Sequence, residues 1–450
     1  MKLRNTLLTL AMIGLVCSAK AGNDTGNILP YPILQKKMPN GLNVVTVPYD
    51  SPGLAAFYIV VRVGSREEVE TGKTGFAHFF EHMMFRGTEK YSKEQYSDAL
   101  KATGASANAN TWLDRTVYHM TGNAAMLDKM FELESDRFMN LKYSIQDFKT
   151  EAGAVKGEYT KNFSSPSQQL NEKMNNVAFN KHTYKHTTMG FFEDIVDMPN
   201  QYDYSIQFFK RFYRPEYTTI IVVGDVTAEQ VNGLAEKHFG VWETGDYKPA
   251  IPQEPAQTST RYAHIQKSGT PPVLSLNYKS PAYVDGSKEV AALDLLVTML
   301  TSEKSELYKK LVKEQQKVRG LYGNFMFTRD PYLTQFQASL VKAEDLQIVK
   351  EEFIKAFEKA KKTPYSEAEI AEAKSRLRYS FAMGMDSPTA IAENLSFFTW
   401  VSGDPESINR TYALYEKVTA QDMMNAAKKY LVPAGLTIAT ISPAEKCPVK

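Results

Sequence analysis

A polar, Pro-rich stretch from Tyr247 to Thr260, carrying Pro249, Pro252 and Pro255, cuts this chain into two pieces of similar length that echo each other. Tyr213-Arg214-Pro215 followed by the β-branched run Thr218 to Val223 matches Tyr430-Leu431-Val432-Pro433 followed by Leu436 to Ile441. The apolar run Leu54 to Val61 answers to Pro272 to Tyr278, and Tyr143-Ser144 answers to Tyr365-Ser366. All three pairs lie about 220 residues apart, the scale of a whole domain rather than of a solenoid unit. A chain of 450 residues is too long for one ordinary core and comfortable for two. The repeat therefore predicts two homologous domains joined by a linker at 247–262, the first spanning 22–246 and the second 263–450.

Within each copy the local patterns agree on one architecture. Leu42 to Val47 and Leu54 to Val63 are rich in Val, Ile and Tyr, which suit a pleated surface. Helical patterns follow at Glu94 to Ala102, Met126 to Asn140, Gln146 to Lys161 and Thr227 to Phe239, the last with Thr227 as N-cap. Strands grouped with runs of helices, rather than strictly alternating, predict an α+β fold: an antiparallel-rich sheet in each half with helices on one face.

Bulk properties narrow the partners and the compartment. The formal net charge is +2, so no basic face for nucleic acid is expected. Residues 1–21 carry Lys2 and Arg4, an apolar stretch from Leu7 to Val16, and Ala19-Lys20-Ala21, the three-part layout of a cleaved secretory signal. About ten apolar residues fall short of the ~20 that span a bilayer, and no later segment reaches that length. Bulky Val16 ahead of Cys17 argues against a lipid anchor at Cys17. A periplasmic or secreted protein without a membrane span is the expectation. Cleavage after Ala21 leaves Cys447 as the single thiol, which excludes an internal disulfide and a thiolate metal site.

The chemistry is concentrated in Gly75 to Phe85. On a helix, His78, Glu81 and His82 occupy i, i+3 and i+4 and share one face. Their neighbours Phe79, Phe80, Met83, Met84 and Phe85 make the helix a buried one, and buried imidazoles beside a carboxylate need a common partner. A divalent metal with two nitrogen ligands and an adjacent acid satisfies all three, in the reverse order of the His-Glu-x-x-His arrangement. A catalytic zinc takes three protein ligands and keeps one open position. The third ligand must come from elsewhere, and among acidic residues on helices Asp136, Glu151 and Glu158 are all candidates. Glu151 and Glu158 lie seven apart, on one face of a helix.

The segments Gly64-Ser65-Arg66-Glu67 and Gly75 to Thr88 resemble the signature of the pitrilysin (M16) metallopeptidases, in particular the shorter bacterial and processing-peptidase (M16B) branch. The similarity extends to Asn108-Ala109-Asn110-Thr111, Asp114, Tyr118, Glu134 to Arg137, Glu151, Glu158 and Val223 to Val226, covering most of the first half. It implies one Zn²⁺ per chain held by His78, His82 and Glu158, with Glu81 as the base that activates water and Glu151 as a supporting carboxylate. It also implies that Asn108, Ala109, Asn110 and Thr111 form a strand to which an extended peptide substrate adds as a further strand. Main-chain pairing of that kind tolerates many sequences.

Shifting His78, Glu81 and His82 by the strand offset lands on Leu296, Met299 and Leu300, within the apolar stretch Val290 to Leu300. The second half has lost the ligands, resembling the family's duplication into a catalytic half and an inert twin. Arg319 and Tyr322 lie too close together to match the substrate-contacting Arg and Tyr of that family. A homodimer, or a heterodimer with an M16-like subunit lacking the zinc motif, is expected to supply those contacts. The resulting expectation is a zinc metalloendopeptidase acting on peptides or unfolded segments. The alternative is a non-catalytic subunit used for peptide binding or assembly.

Overall fold

The computed structural model describes residues 27–450; the expected signal segment 1–21, with Cys17, lies outside the described residues. Strands β1 (Leu34–Lys37), β2 (Asn43–Pro48), β3 (Leu54–Val61), β4 (Ser106–Thr111), β5 (Thr116–Asn123) and β6 (Thr218–Gly224) form one sheet in the order β1-β2-β6-β3-β5-β4. Strands β7 (Arg261–Gln266), β8 (Val273–Lys279), β9 (Val318–Phe325), β10 (Leu333–Leu340) and β11 (Leu436–Ser442) form a second in the order β7-β11-β8-β10-β9. Apart from β1, the two orders superimpose strand for strand. The hand of pairing agrees as well: β2 runs parallel to β6 and β7 to β11, while the remaining neighbours are antiparallel. The repeat is thus one of whole-sheet topology. Residues 247–260 carry neither helix nor strand, and Arg261 and Tyr262, expected in the linker, instead open β7.

The first half carries helices α1 (Phe76–Met83), α2 (Lys93–Ala102), α3 (Leu127–Asn140), α4 (Ile145–Phe163), α5 (Pro166–Ala178), α6 (Phe192–Asp197), α7 (Tyr202–Phe212) and α8 (Ala228–Phe239). The second carries α9 (Lys288–Thr301), α10 (Glu306–Tyr308), α11 (Leu346–Ala360), α12 (Glu367–Met383), α13 (Pro388–Ser402), α14 (Ser407–Lys417) and α15 (Ala420–Tyr430). Their caps repeat too. Ser144 with Asp147 opens α4, and Ser366 with Glu369 opens α12, each as a reciprocal capping box.

Strand β3 shows how the halves are locked together. Ala55, Phe57, Ile59 and Val61 face the first half's own helices, packing with Phe76, Phe79, Phe80 and Phe131. Ala56, Tyr58 and Val60 face the other way, into a core shared with Ile391 and Leu395 of α13. Both faces are buried, so the strand is continuously apolar instead of alternating. Helix α13 lies across β3 and β6, and α5 lies across β7 and β11. Each follows a Ser and begins with a Pro, Ser165-Pro166 and Ser387-Pro388. Each half therefore lends one equivalent helix to the outer face of its twin's sheet, in addition to the helices it keeps on its own face.

Candidate metal centre

The placement of the site begins with how α1 is held. Phe76, Phe79, Phe80 and Met83 are fully buried, and each contributes about 1.5–3 kcal/mol relative to exposure. Gly75 precedes the helix at φ 90°, where a side chain would be strained, and a Cβ there would meet Ile195 Cδ1 at 2.4 Å. The buried Glu68 carboxylate accepts from the Gly75 and Ala77 amides at 2.8 and 2.7 Å, satisfying two free donors of the first turn. Burial pushes the Glu68 carboxyl up to about 8, against the pull of those two amides.

On this helix His78 and His82 sit one turn apart with ring centroids 4.8 Å apart. Helix α4 packs alongside and brings Glu158, whose Oε2 lies 3.6 Å from His78 Nε2 and 3.3 Å from His82 Nε2. The three side chains present ligand atoms that all fall within 4.8 Å of one another. Ligands at about 2.0–2.1 Å from a tetrahedral zinc are separated by about 3.3–3.4 Å, so the spacing suits that ion. It is wide for a simple hydrogen-bonded contact between His78 and Glu158.

Glu151, two turns earlier on α4 and buried, meets His82 Nδ1 at 2.8 Å through Oε1. A donating Nδ1–H leaves the Nε2 lone pair turned toward Glu158 and His78. Arg86 grips the other oxygen of Glu151 through its guanidinium. Burial pulls the Glu151 carboxyl up, but His82 and Arg86 together hold it below the usual range. The hydrogen bond to Glu151 raises His82, whereas burial lowers His78 and favours its neutral, ligating form.

Glu81 lines a hollow of about 300 Å³ with His82, Arg86, Glu151, Asn108 and Ala109. Asn108 to Thr111 belong to β4, which pairs with β5 on one side and forms the edge of its sheet on the other. The strand expected to receive peptide is thus an available edge beside Glu81 and His82. Its residues split between two sides. Ala109 packs into the core that contains α1, Asn110 faces a cavity between the halves, and the Thr111 hydroxyl meets that of Thr116.

Asp136, one of the candidate third ligands, is engaged elsewhere, with Thr88 and with Asn140 Nδ2 at 2.9 Å. Arg319 and Tyr322 both lie on β9 three residues apart, and Arg319 is the extra residue of a bulge in the pairing of β9 with β10. Arg86 and Glu68 did not stand out in the sequence. Arg86 lies in the turn that follows α1 and Glu68 reaches the site by a loop, so neither leaves a periodic trace.

Comparison with known proteins places these residues in context. A model described as insulinase (peptidase family M16) matches residues 44–190, and one described as peptidase M16 inactive domain matches 201–377. The chain is 29% identical over 419 residues to a protein named zinc protease PqqE from Helicobacter pylori, covering 90% of this chain and 91% of that one. A protease structure from Helicobacter pylori superposes with a TM-score of 0.85 at 27% identity, over 92% of this chain and all (100%) of the other. The periplasmic protease PqqL from Escherichia coli shares the fold at a TM-score of 0.75 and 17% identity; 92% of this chain aligns there with 48% of PqqL.

Proposed function

The chain belongs to the M16 peptidase family, and from that premise we propose that it is a zinc-dependent endopeptidase, with His78, His82 and Glu158 as the metal ligands and Glu81 as its general base. The observation that carries this reading is the approach of Glu158 Oε2 on α4 to the Nε2 atoms of both histidines on α1. Zinc held there would supply Lewis acidity, polarising a peptide carbonyl and lowering the pKa of a bound water to about 7.

The protein's own groups do the rest. Glu81 takes a proton from the attacking water on its carboxylate and passes it to the departing amine. Glu151 fixes the His82 tautomer, and Arg86 fixes Glu151. The exposed edge of β4 aligns an extended peptide by main-chain pairing, with Asn108 and Ala109 beside Glu81. The arrangement favours peptides and unfolded segments, because a folded substrate has no free strand to offer.

Export to the periplasm or beyond is part of this reading, supported by the layout of residues 1–21. Pairing with a second M16-like chain is supported by the lone zinc motif per chain, and by the double length of PqqL relative to the matched region. Metal analysis with cleavage of quenched peptides, comparing the wild type with Glu81→Gln, tests the function. Bound zinc with hydrolysis lost only in the variant supports it. Hydrolysis by neither form, alone or with co-purifying chains from the native host, would favour a non-catalytic subunit. Sedimentation of the same samples reads the oligomeric state.

A further inference from the structure

Beneath β4, on the side of the first sheet away from α1, lies a cavity of about 660 Å³ between the two halves. Its floor is the row Tyr58, His119 and Val117, continued outward by Asn110 at the sheet edge. Its far wall is α13, with Glu393, Phe397 and Trp400, and its rim includes Trp112, which is 41% exposed. This space is separate from the hollow that contains Glu81.

Strand geometry connects the two. Successive residues of any peptide added to β4 point to opposite faces of the sheet. Those on the Ala109 side meet α1 and the metal ligands, and those on the Asn110 side enter this cavity. The chemistry of the walls then selects what enters. Glu393 is exposed to solvent and has no ion pair or hydrogen bond among the described residues, and it acts electrostatically on Tyr58, His119 and Arg115 around the cavity. Asp294 is a second carboxylate in the lining, bonded to the Tyr415 hydroxyl. Arg115 is the cation of the lining, and its guanidinium is committed to β4, donating to the Asn110 carbonyl at 2.7 Å and to the Asn110 side chain. His119 is stacked on Tyr58, and burial favours its neutral form. Two carboxylates and a wall of aromatic faces form the setting that holds an ammonium or guanidinium group.

Resting on the peptidase reading given above, we propose that this cavity is a specificity site for a basic side chain of the extended peptide, on the residue whose side chain shares the Asn110 face of the sheet. Glu393 pairs with the cation while Trp400 and Phe397 cover its aliphatic stem. The site sits at the seam of the two halves, so the second half takes part in choosing substrate although it holds no metal ligands.

A peptide series differing at a single position, with arginine, its neutral isostere citrulline, phenylalanine or glutamate, tests this by calorimetric binding to zinc-loaded Glu81→Gln protein and by hydrolysis with the wild type. The arginine peptide should bind about tenfold more tightly than the citrulline peptide, and a second substitution, Glu393→Gln, should bring that ratio towards one. Equal binding of arginine and citrulline peptides, a preference for phenylalanine, or an arginine preference untouched by Glu393→Gln would overturn the proposal. Hydrolysis of all four peptides at similar rates would remove the specificity site and leave the peptidase standing. Binding with the arginine preference but without hydrolysis by the wild type would remove the peptidase and leave the site.

Discussion

Helices α1 and α9 hold the same station in two matching sheets, and only one of them carries a cluster of candidate metal ligands. In α1, His78, Glu81 and His82 emerge from a helix otherwise sunk in core, and α4 supplies Glu158 opposite them. In α9, the strand offset brings Leu296, Met299 and Leu300 to those positions, all buried. The loss extends to the partner helix. Aligning the capping boxes of α4 and α12 sets Ala373 where Glu151 stands and Ser380 where Glu158 stands. The fold is therefore indifferent to the ligands. The two copies reach one topology with a polar cluster or with a packed leucine face, and the cluster is confined to the copy whose neighbouring helix completes it.

The largest expected effect tests whether that cluster does the chemistry. Glu81→Gln should lower kcat about 10²- to 10⁴-fold, the usual worth of a general base, with zinc content unchanged. Full activity in this variant would leave α1 no more catalytic than α9. A graft tests the comparison from the other side. Leu296→His, Met299→Glu and Leu300→His together should leave the metal stoichiometry at one per chain, because neither Ala373 nor Ser380 can serve as third ligand. Three polar groups placed in core without partners should cost about 1–3 kcal/mol each, read as a fall in chemical-denaturation stability. A second equivalent of zinc would show that the ligand triplet alone makes a site. Next in size, Glu151→Gln should weaken zinc affinity about 10- to 100-fold by releasing the His82 tautomer, measured by competition with a chelator.

Much of this could be read from residues alone, for physical reasons that differ by element. Four helices of the first half, α2, α3, α4 and α8, were legible to within a residue or two, and three of them open on a side-chain cap, as with Thr227 accepting from the Gln230 amide. The duplication was legible because strands buried on both faces, such as β3 and β6, must be uninterrupted apolar runs. The histidine pair announced itself by spacing within one helix. The carboxylate that meets the pair did not, since the meeting of α4 with α1 is tertiary; Asp136, equally eligible by sequence, bonds instead to Thr88 and Asn140. The exchange of α5 and α13 was also hidden. An amphipathic helix shows that it has an apolar face but not which sheet that face will cover.

The smallest expected effect concerns how the second half braces the first. Asp330, just ahead of β10, bonds to Arg66 Nε at 2.6 Å and to His182 Nε2 at 3.1 Å, while Arg66 also holds Glu67, next to the Glu68 that caps α1. Burial pulls the Asp330 carboxyl up, but His182 and Arg66 prevail and hold it at about 2. An unfolded aspartate titrates near 3.9, so the folded group is the stronger acid. Its stabilisation is then complete above about pH 4 and is lost as pH falls towards about 2. Asp330→Asn should lower the melting temperature at pH 7 by ~2–4 °C, and the gap from the wild type should close between about pH 4 and pH 2. A gap that stayed constant through that window would mean that the carboxylate charge does not hold the brace. The second half would then support α1 through packing alone, as α13 does across β3.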